Sequence, residues 1–145
     1  MDEINIKNAY FIEITTIQDG YDGIISVADE LKSIPFVIKR VYYIYNLINH
    51  AFVMRGKHAH KKLEQVIFCV NGSCHISLND GANKKDIELI QPHRGIYIGP
   101  RVWHVMDSFC NNCILLVFAS DYFEEADYIR NFDDFLHYID SLPQK

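Results

Sequence analysis

The chain is poor in the residues that mark specialised proteins, since its 145 residues include one tryptophan, four prolines, four cysteines and seven glycines. So few prolines and glycines, without a repeat, exclude collagen-like and low-complexity architectures. No apolar run is long enough to cross a bilayer, and the N-terminus has no signal-peptide pattern. We therefore expect one domain, residues 1–145, located in the cytoplasm and without a membrane partner.

The four cysteines do not predict a disulfide framework, because a chain of this length with 49% hydrophobic residues can bury a stable core without covalent cross-links. Cys110 and Cys113 have the spacing of a zinc or redox motif. Cys69 and Cys74 do not form a second pair at zinc-ribbon spacing. We therefore expect structural thiols here.

Basic residues are also scarce overall, and the net charge is −5. Nucleic acid is therefore not an expected partner, because binding to phosphate backbones needs clustered cations over a large face. The exception is a local group of cations around a histidine pair, formed by Arg55, Lys57, Lys61 and Lys62. Such a group suits a small anion such as a diphosphate, although the lysines alone would equally fit a solvated strand edge.

Short segments rich in β-branched and aromatic residues dominate the chain. They are residues 9–15, 23–27, 36–47, 64–70, 74–78, 86–90, 95–98 and 113–119. Many short strands at this spacing predict a β-sandwich or barrel. The triplets Asn71-Gly72-Ser73 and Asn79-Asp80-Gly81 predict hairpin turns. From Tyr122 the apolar spacing becomes helical, with Asp121 as the expected cap, so we predict an all-β barrel closed by a C-terminal α-helix.

The central motif is His58-Ala59-His60, followed much later by Trp103-His104. On a strand, residues two apart project to the same face, so both histidines would enter one cavity. As metal ligands, His58, His60 and His104 with Glu64 would suit Fe, Mn, Ni or Zn, but a cation beside so many basic side chains is electrostatically unfavourable. Without metal the histidines would move protons near neutral pH. A purely structural role is the third reading.

Aromatic residues around this motif remain open to two interpretations. Tyr42, Tyr43 and Tyr45 share one strand, and alternation puts Tyr43 and Tyr45 on the face opposite Tyr42. Each tyrosine is either core packing or a phenolic proton relay. Trp103 is either core or a platform on which a base ring stacks.

Several motifs in order resemble the bacterial dTDP-sugar 3,4-ketoisomerases across nearly the whole chain. These motifs are residues 34–44, Arg55-Gly56-Lys57-His58-Ala59-His60, Gly72-Ser73, Gly99-Pro100-x-x-Trp103-His104, residues 115–122 and Asp127-Tyr128-Ile129-Arg130. The resemblance implies a jelly-roll barrel of the cupin type. It also implies a dTDP-linked 4-keto-6-deoxyhexose as substrate, no metal or other cofactor, and a homodimer with exchanged N-terminal strands.

The resemblance further implies that His58 and His60 transfer protons between C3 and C4 of dTDP-4-keto-6-deoxy-D-glucose, assisted by Tyr43 or His104. We expect His60 to be the principal base. Arg55 and Arg101 are expected to hold the diphosphate and Trp103 the thymine, with Tyr21 and Gln65 as further substrate-binding residues. The turn around Tyr21 departs from the usual family pattern, which leaves the configuration of the product at C4 open.

Three alternative functions are consistent with the same sequence features. They are a dTDP-4-keto-6-deoxyhexose epimerase, a metal-dependent cupin enzyme and a non-catalytic sugar-binding cupin. If the ketoisomerase reading holds, an aminotransferase is expected to act on the 3-keto product, in the biosynthesis of a 3-amino-3,6-dideoxyhexose for surface polysaccharide such as lipopolysaccharide.

Overall fold

The computed structural model of the chain describes residues 3–48 and 53–143. The elements follow in this order: β1 Ala9–Glu13, β2 Thr15–Gln18, β3 Ile24–Val27, β4 Arg40–Ile44, β5 Arg55–His60, β6 Gln65–Asn79, β7 Lys84–Leu89, β8 Arg94–Ile98, β9 Trp103–Ala119, β10 Tyr128–Ile129 and α1 Phe132–Ser141. The prediction of a β-structure that ends in an α-helix is therefore confirmed.

One curled sheet in the order β1-β8-β6-β9-β5-β10 forms the body, with β4 beside β9 and β7 beside β6. The two longest strands, β6 and β9, pair with each other along most of their lengths. The first part of β6 also pairs with β8 and its later part with β7. Likewise, β9 pairs first with β5 and then with β4. These two bent strands therefore hold both layers of the barrel together.

The barrel interior is apolar except at the site. Ile67, Met106 and Val117 belong to the interior cluster and also line the main cavity. A second cluster, with Ile34 and Phe36, covers the outer face of β6 and β8. Under α1, Phe135 is fully buried in a third cluster that includes Ala59 of β5. The strand that carries the histidine pair is thus held from outside by the helix.

The expected hairpin turn at Asn71-Gly72-Ser73 is wrong, whereas the turn after Asn79 is confirmed. β6 runs through Gly72 without reversing, and its register against β9 shifts on both sides of this glycine. Gly72 has φ +72°, a value that glycine adopts readily in both turns and bulges. Glycine at this position is compatible with either a hairpin turn or a bulge. Pairing with the distant strand β9 selects the bulge.

The helix also begins later than its apolar spacing predicts. It starts at Phe132, where the side chain of Asn131 accepts a hydrogen bond of 3.0 Å from the backbone N–H of Asp134. Residues 125–127 form a 3-10 turn, and β10 pairs with β5. Pairing with the histidine strand outweighs the helical pattern in this segment. No helix in residues 3–48 and 53–143 has the length and apolar character to cross a membrane.

The cysteines group in space in a way that their spacing in the sequence does not indicate. The sulfur atoms of Cys69, Cys74 and Cys113 lie within 4.8 Å of one another inside the barrel. Cys110 is partly exposed, and all four thiols are free. The Cys-x-x-Cys spacing therefore does not form a unit, and the three buried thiols fill the interior as small apolar side chains.

Gly72→Ala is expected to destabilise the protein by roughly 2 kcal/mol or more, through strain at positive φ and a backbone clash. A Cβ atom at Gly72 would lie 2.2 Å from the carbonyl oxygen of Cys110. Gly20→Ala is a matched control, since Gly20 also has positive φ but no heavy atom within 4 Å of a built Cβ. Urea unfolding measures both, and equal losses of stability would contradict the role of the clash.

Candidate active site

The histidine pair lies at the end of β5, next to a bulge. The register between β5 and β9 shifts between Gly56 and His58, and Lys57 has φ +56°. Gly56 allows close approach, because a Cβ atom there would lie 2.8 Å from the carbonyl oxygen of His104. Beyond the bulge, His58 and His60 project to the same face with ring centroids 4.8 Å apart, as the motif predicts.

The third histidine comes from β9 and lies directly opposite His58. The ring centroids of His58 and His104 are 4.5 Å apart. One nitrogen from each of the three histidines lies within 4.8 Å of the others. The structure therefore brings His58, His60 and His104 into one cluster.

Hydrogen bonds assign the ring nitrogens of this cluster. Each Nδ1 faces an acceptor: the carbonyl oxygen of Gly56 for His58, the Asp127 carboxylate for His60, and the carbonyl oxygen of Val102 for His104. Each neutral imidazole therefore carries its proton on Nδ1 and its lone pair on Nε2. The Nε2 of His104 already accepts from the side-chain amide of Gln65, at 3.2 Å. His58 and His60 keep their Nε2 atoms for substrate.

Burial keeps these histidines neutral. It lowers the pKa of His58 below its ordinary value of 6.5. Burial, followed by repulsion from His58, lowers the pKa of His60 to about 4 despite the Asp127 carboxylate. Burial also holds the pKa of His104 well below the usual range. At neutral pH all three are unprotonated, so the two free Nε2 atoms can act as bases.

A cavity of about 470 Å³ opens into the barrel beside this cluster. Polar lining residues include His58, His104, Gln65, Tyr42 and Arg55. The hydroxyl of Tyr42 lies 3.4 Å from the side-chain oxygen of Gln65, and Gln65 in turn binds His104. The cavity therefore joins a free histidine base to a phenol and an amide, a combination suited to moving protons on an oxygen-rich substrate.

A second cavity, of about 380 Å³, shares Arg40 and Tyr128 with the first among its lining residues. His60 and Asp127 line this second cavity, whereas His58 and His104 line the first. Because His60 is only 3% exposed, the geometry favours His58 over His60 as the histidine that meets a substrate in the barrel. The expectation that His60 is the principal base therefore stays a prediction, with His58 as the competing assignment.

Asp127 is a site residue that the sequence analysis did not single out. Its carboxylate accepts hydrogen bonds from the His60 ring and from the backbone N–H groups of Lys62 and Leu63. It thereby fixes the tautomer of His60 and ties the C-terminal segment to the end of β5. Asp127 belongs to the motif Asp127-Tyr128-Ile129-Arg130. Because the apolar spacing around it predicted a helix, its place beside β5 was not expected.

Tyr128, next to Asp127, was missed for the same reason. Its ring centroid lies 4.8 Å from that of His58 and 4.4 Å from that of His60. The guanidinium of Arg130 lies 4.2 Å from the centre of the Tyr128 ring. The segment Asp127–Arg130 therefore covers the histidine pair.

The placement of Tyr43 corrects the expectation that it assists the histidines. Alternation along β4 turns Arg40, Tyr42 and Ile44 into the cavity. Tyr43 is 64% exposed and stacks on Tyr45 outside the barrel, with ring centroids 5.6 Å apart. Tyr42 takes the inward position instead.

Three of the predicted substrate-binding residues also lie outside the cavity of this single chain. Trp103 is partly buried and packs on Phe132 and Phe135 of α1. Arg101 lines neither cavity; its backbone N–H binds the carbonyl oxygen of His60 at 2.7 Å. Tyr21 is fully exposed at the tip of the β2–β3 hairpin. Arg55 and Gln65 do line the barrel cavity.

The four-ligand metal set does not form as the sequence pattern suggests. Glu64 turns away from the histidines and accepts a hydrogen bond of 2.7 Å from the Tyr97 hydroxyl. The three histidine nitrogens could still meet an ion. Against a cation stand the side chains of Arg40, Arg55 and Arg130, which line the same cavity.

Comparison with known proteins agrees with this geometry. The family described as WxcM-like, C-terminal (FdtA) matches residues 7–140. The TDP-4-oxo-6-deoxy-alpha-D-glucose-3,4-oxoisomerase of Aneurinibacillus thermoaerophilus is 48% identical over 128 residues, which cover 88% of this chain and 90% of the relative.

Solved structures agree as well. A 3,4-ketoisomerase from Helicobacter canadensis has a TM-score of 0.87 and 41% identity over 94% of this chain and 100% of its own. A variant of the Thermoanaerobacterium thermosaccharolyticum 3,4-ketoisomerase in complex with TDP-4-keto-6-deoxyglucose has a TM-score of 0.87 and 43% identity, over 92% and 95% of the two chains.

These neighbours confirm the prediction of a cupin-type, jelly-roll barrel, and they are small sugar isomerases. Within that class, the chain belongs to the WxcM-like, C-terminal (FdtA) family, whose solved and curated relatives are sugar 3,4-ketoisomerases. The chain is therefore an isomerase.

Asp127→Asn is expected to lower kcat by about tenfold to a hundredfold, within the range of acid–base effects, because the His60 proton is no longer held on Nδ1. Nitrogen-15 NMR of the imidazoles should show His60 changing from the Nδ1–H tautomer to a mixture. Asp140→Asn, on the exposed face of α1, removes the same charge as a control. A slow variant with an unchanged His60 tautomer would contradict the positioning role.

Proposed function

We propose that this chain converts dTDP-4-keto-6-deoxy-D-glucose to a dTDP-3-keto-6-deoxyhexose by proton transfer between C3 and C4. The observation that carries the proposal is the pair of neutral histidines with free Nε2 atoms, one of them lining a polar barrel cavity. Support for the substrate comes from the relatives, one of which holds TDP-4-keto-6-deoxyglucose.

The chemistry follows from the ketone. The C4 carbonyl acidifies the hydrogen on C3, and Nε2 of His58 removes that proton to leave an enediolate shared by O3 and O4. The O3 hydroxyl gives up its proton as the C3 carbonyl forms, while O4 gains one and becomes a hydroxyl. Protonation of C4 completes the exchange without net gain or loss of atoms or electrons. Of the groups that line the barrel cavity, the Tyr42 hydroxyl can exchange protons with these oxygens, and the Gln65 amide can form hydrogen bonds with them.

Metal independence is part of the proposal. The free Nε2 atoms and low histidine pKa values supply a base without a Lewis acid, and the three arginines of the cavity disfavour a bound cation. Protein dialysed against EDTA should keep its turnover. Loss of activity that one divalent ion restores would favour the metal-dependent alternative.

The direct test is incubation with dTDP-4-keto-6-deoxyglucose followed by carbon-13 NMR. The ketone signal should move from C4 to C3. In D2O, deuterium should enter at C4 of the product and at C3 of recovered substrate. Deuterium at C5 would instead favour an epimerase. Binding without any exchange would leave only a sugar-binding protein.

In the same assay His58→Asn is expected to lose about a hundredfold to ten-thousandfold of kcat, because the amide cannot accept the C3 proton. His60→Asn should lose less, since His60 borders the second cavity. His137→Asn, on the exposed face of α1, is the control. A larger loss with His60→Asn would move the base assignment to that residue.

The quaternary structure that we propose is a homodimer with exchanged N-terminal strands. β2 and β3 pair only with each other in the described residues, and two-stranded hairpins are marginal alone. Ile17 and Ile25 form a cross-strand pair on one face of the hairpin and are 49% and 55% exposed. A second copy of the chain would cover this apolar face and bring Tyr21 to its neighbour's site. A cytoplasmic location completes the proposal, in keeping with the four free thiols.

Ile25→Asp is expected to convert the dimer to a monomer in sedimentation experiments, because it places a charge on the apolar face of the hairpin. Ser26→Asp is the matched control, since Ser26 faces the opposite side and is also exposed. Equal sedimentation of both variants with the wild type would contradict strand exchange through this face.

A further inference from the structure

Arg40 lies at the junction of the two cavities. It begins β4, and alternation along this strand turns it inward with Tyr42 and Ile44. Its side chain is among those that line both the barrel cavity and the second cavity. The guanidinium carbon lies 5.1 Å from the centre of the Tyr42 ring.

Arg40 forms no ion pair within residues 3–48 and 53–143, although one exposed carboxylate responds to its charge. A hydrogen bond from the backbone N–H of Tyr122 lowers the pKa of Asp121, and the charges of Lys39 and Arg40 lower it further. The Nε atom of Arg40 is buried and has no hydrogen-bond partner. No carboxylate oxygen of those residues lies within 4.0 Å of its nitrogens. Arg130 in the same cavity differs, because two of its nitrogens donate to the Glu125 carboxylate at 2.7 and 2.9 Å. A buried guanidinium nitrogen without a hydrogen-bond partner is costly, and a bound anion would supply that partner.

The surroundings of Arg40 place it beside the reacting groups. Burial is the main cause of the low pKa of His60, and the nearby charges of His58 and Arg40 lower it further. Burial raises the pKa of Tyr42, and the Arg40 charge opposes that rise. The Arg40 guanidinium is therefore close to both a histidine and a phenol of the site. A negative charge that appears on the substrate between these groups would meet it directly.

We propose that Arg40 is a catalytic residue whose guanidinium binds the enediolate oxygens as their negative charge develops. This inference rests on the proposed function, in which removal of the C3 proton places charge on O3 and O4. A fixed donor aimed at developing charge in a partly dry cavity stabilises the transition state more than the ground state. The same charge helps to keep His60 unprotonated.

Arg55 distinguishes this role from diphosphate binding. Both arginines line the barrel cavity, but Arg55 is exposed whereas Arg40 is partly buried, with a buried Nε atom. The diphosphate is the more polar end of the substrate and the easier one to leave near solvent. The outer arginine therefore suits the diphosphate, and the inner one suits the sugar ring.

The test compares Arg40→Met with Arg55→Met, using turnover of dTDP-4-keto-6-deoxyglucose and calorimetric binding of TDP. Arg40→Met should lower kcat by about a hundredfold or more, as for removal of an oxyanion donor, with the Kd for TDP nearly unchanged. Arg55→Met should instead raise KM and the Kd for TDP while most of kcat remains. In D2O, the entry of deuterium at C3 of recovered substrate should fall together with kcat in Arg40→Met, because the enediolate itself is harder to form.

Two results would overturn the proposal. Weaker TDP binding with a normal kcat in Arg40→Met would make Arg40 a diphosphate ligand, and normal values of both would make it structural. If Arg40→Met does not fold, Arg40→Lys decides: a kcat reduced by about tenfold or more with unchanged TDP affinity supports the role, and a normal kcat opposes it. The wild type is assayed in parallel, so its failure to isomerise would be recognised as failure of the proposed function instead.

Discussion

Three hydrogen bonds to the carboxylate of Asp127 hold the site together. They come from the ring of His60 and the backbone of Lys62 and Leu63, where β5 ends and the chain turns towards β6. A carboxylate with three such donors links the C-terminal segment to the histidine strand more strongly than the two residues of β10 alone would. The same contacts orient Tyr128 against both histidines. Fold closure and imidazole orientation therefore share one cause.

The contacts of Asp127 join residues that are far apart in the sequence, and such contacts could not be predicted from local patterns. The histidine pair is a local matter of strand alternation, and Asn79–Gly81 is a turn between two strands that pair directly. Both could be predicted from neighbouring residues. Residues 122–129 carry helical spacing but form a 3-10 turn and a strand, because their partners lie more than sixty residues earlier in the chain. Local periodicity contains no information about such contacts.

The site divides along the same line. His58, His60, His104, Arg55 and Gln65 meet because motif spacing and strand direction place them on adjacent inward positions. Tyr43 was expected inside, but an alternation argument gives two opposite faces without saying which one is the interior. Burial of Tyr42 against Gln65 decides that choice. Trp103 points away from the cavity, because it precedes His104 on the same strand and adjacent residues of a strand face opposite sides.

The electrostatics of the cavity complement an anion that exists only during the reaction. Burial removes protons from the histidines, so the bases are neutral before substrate arrives. Two of the arginines in the cavity, Arg40 and Arg55, form no ion pair within the described part of the chain, although the whole protein has a net charge of −5. Neutral bases and cations that form no ion pair disfavour a protonated resting state and favour a negative intermediate. Desolvation thus contributes twice: it sets the charge of the base, and it strengthens the attraction between cation and enediolate.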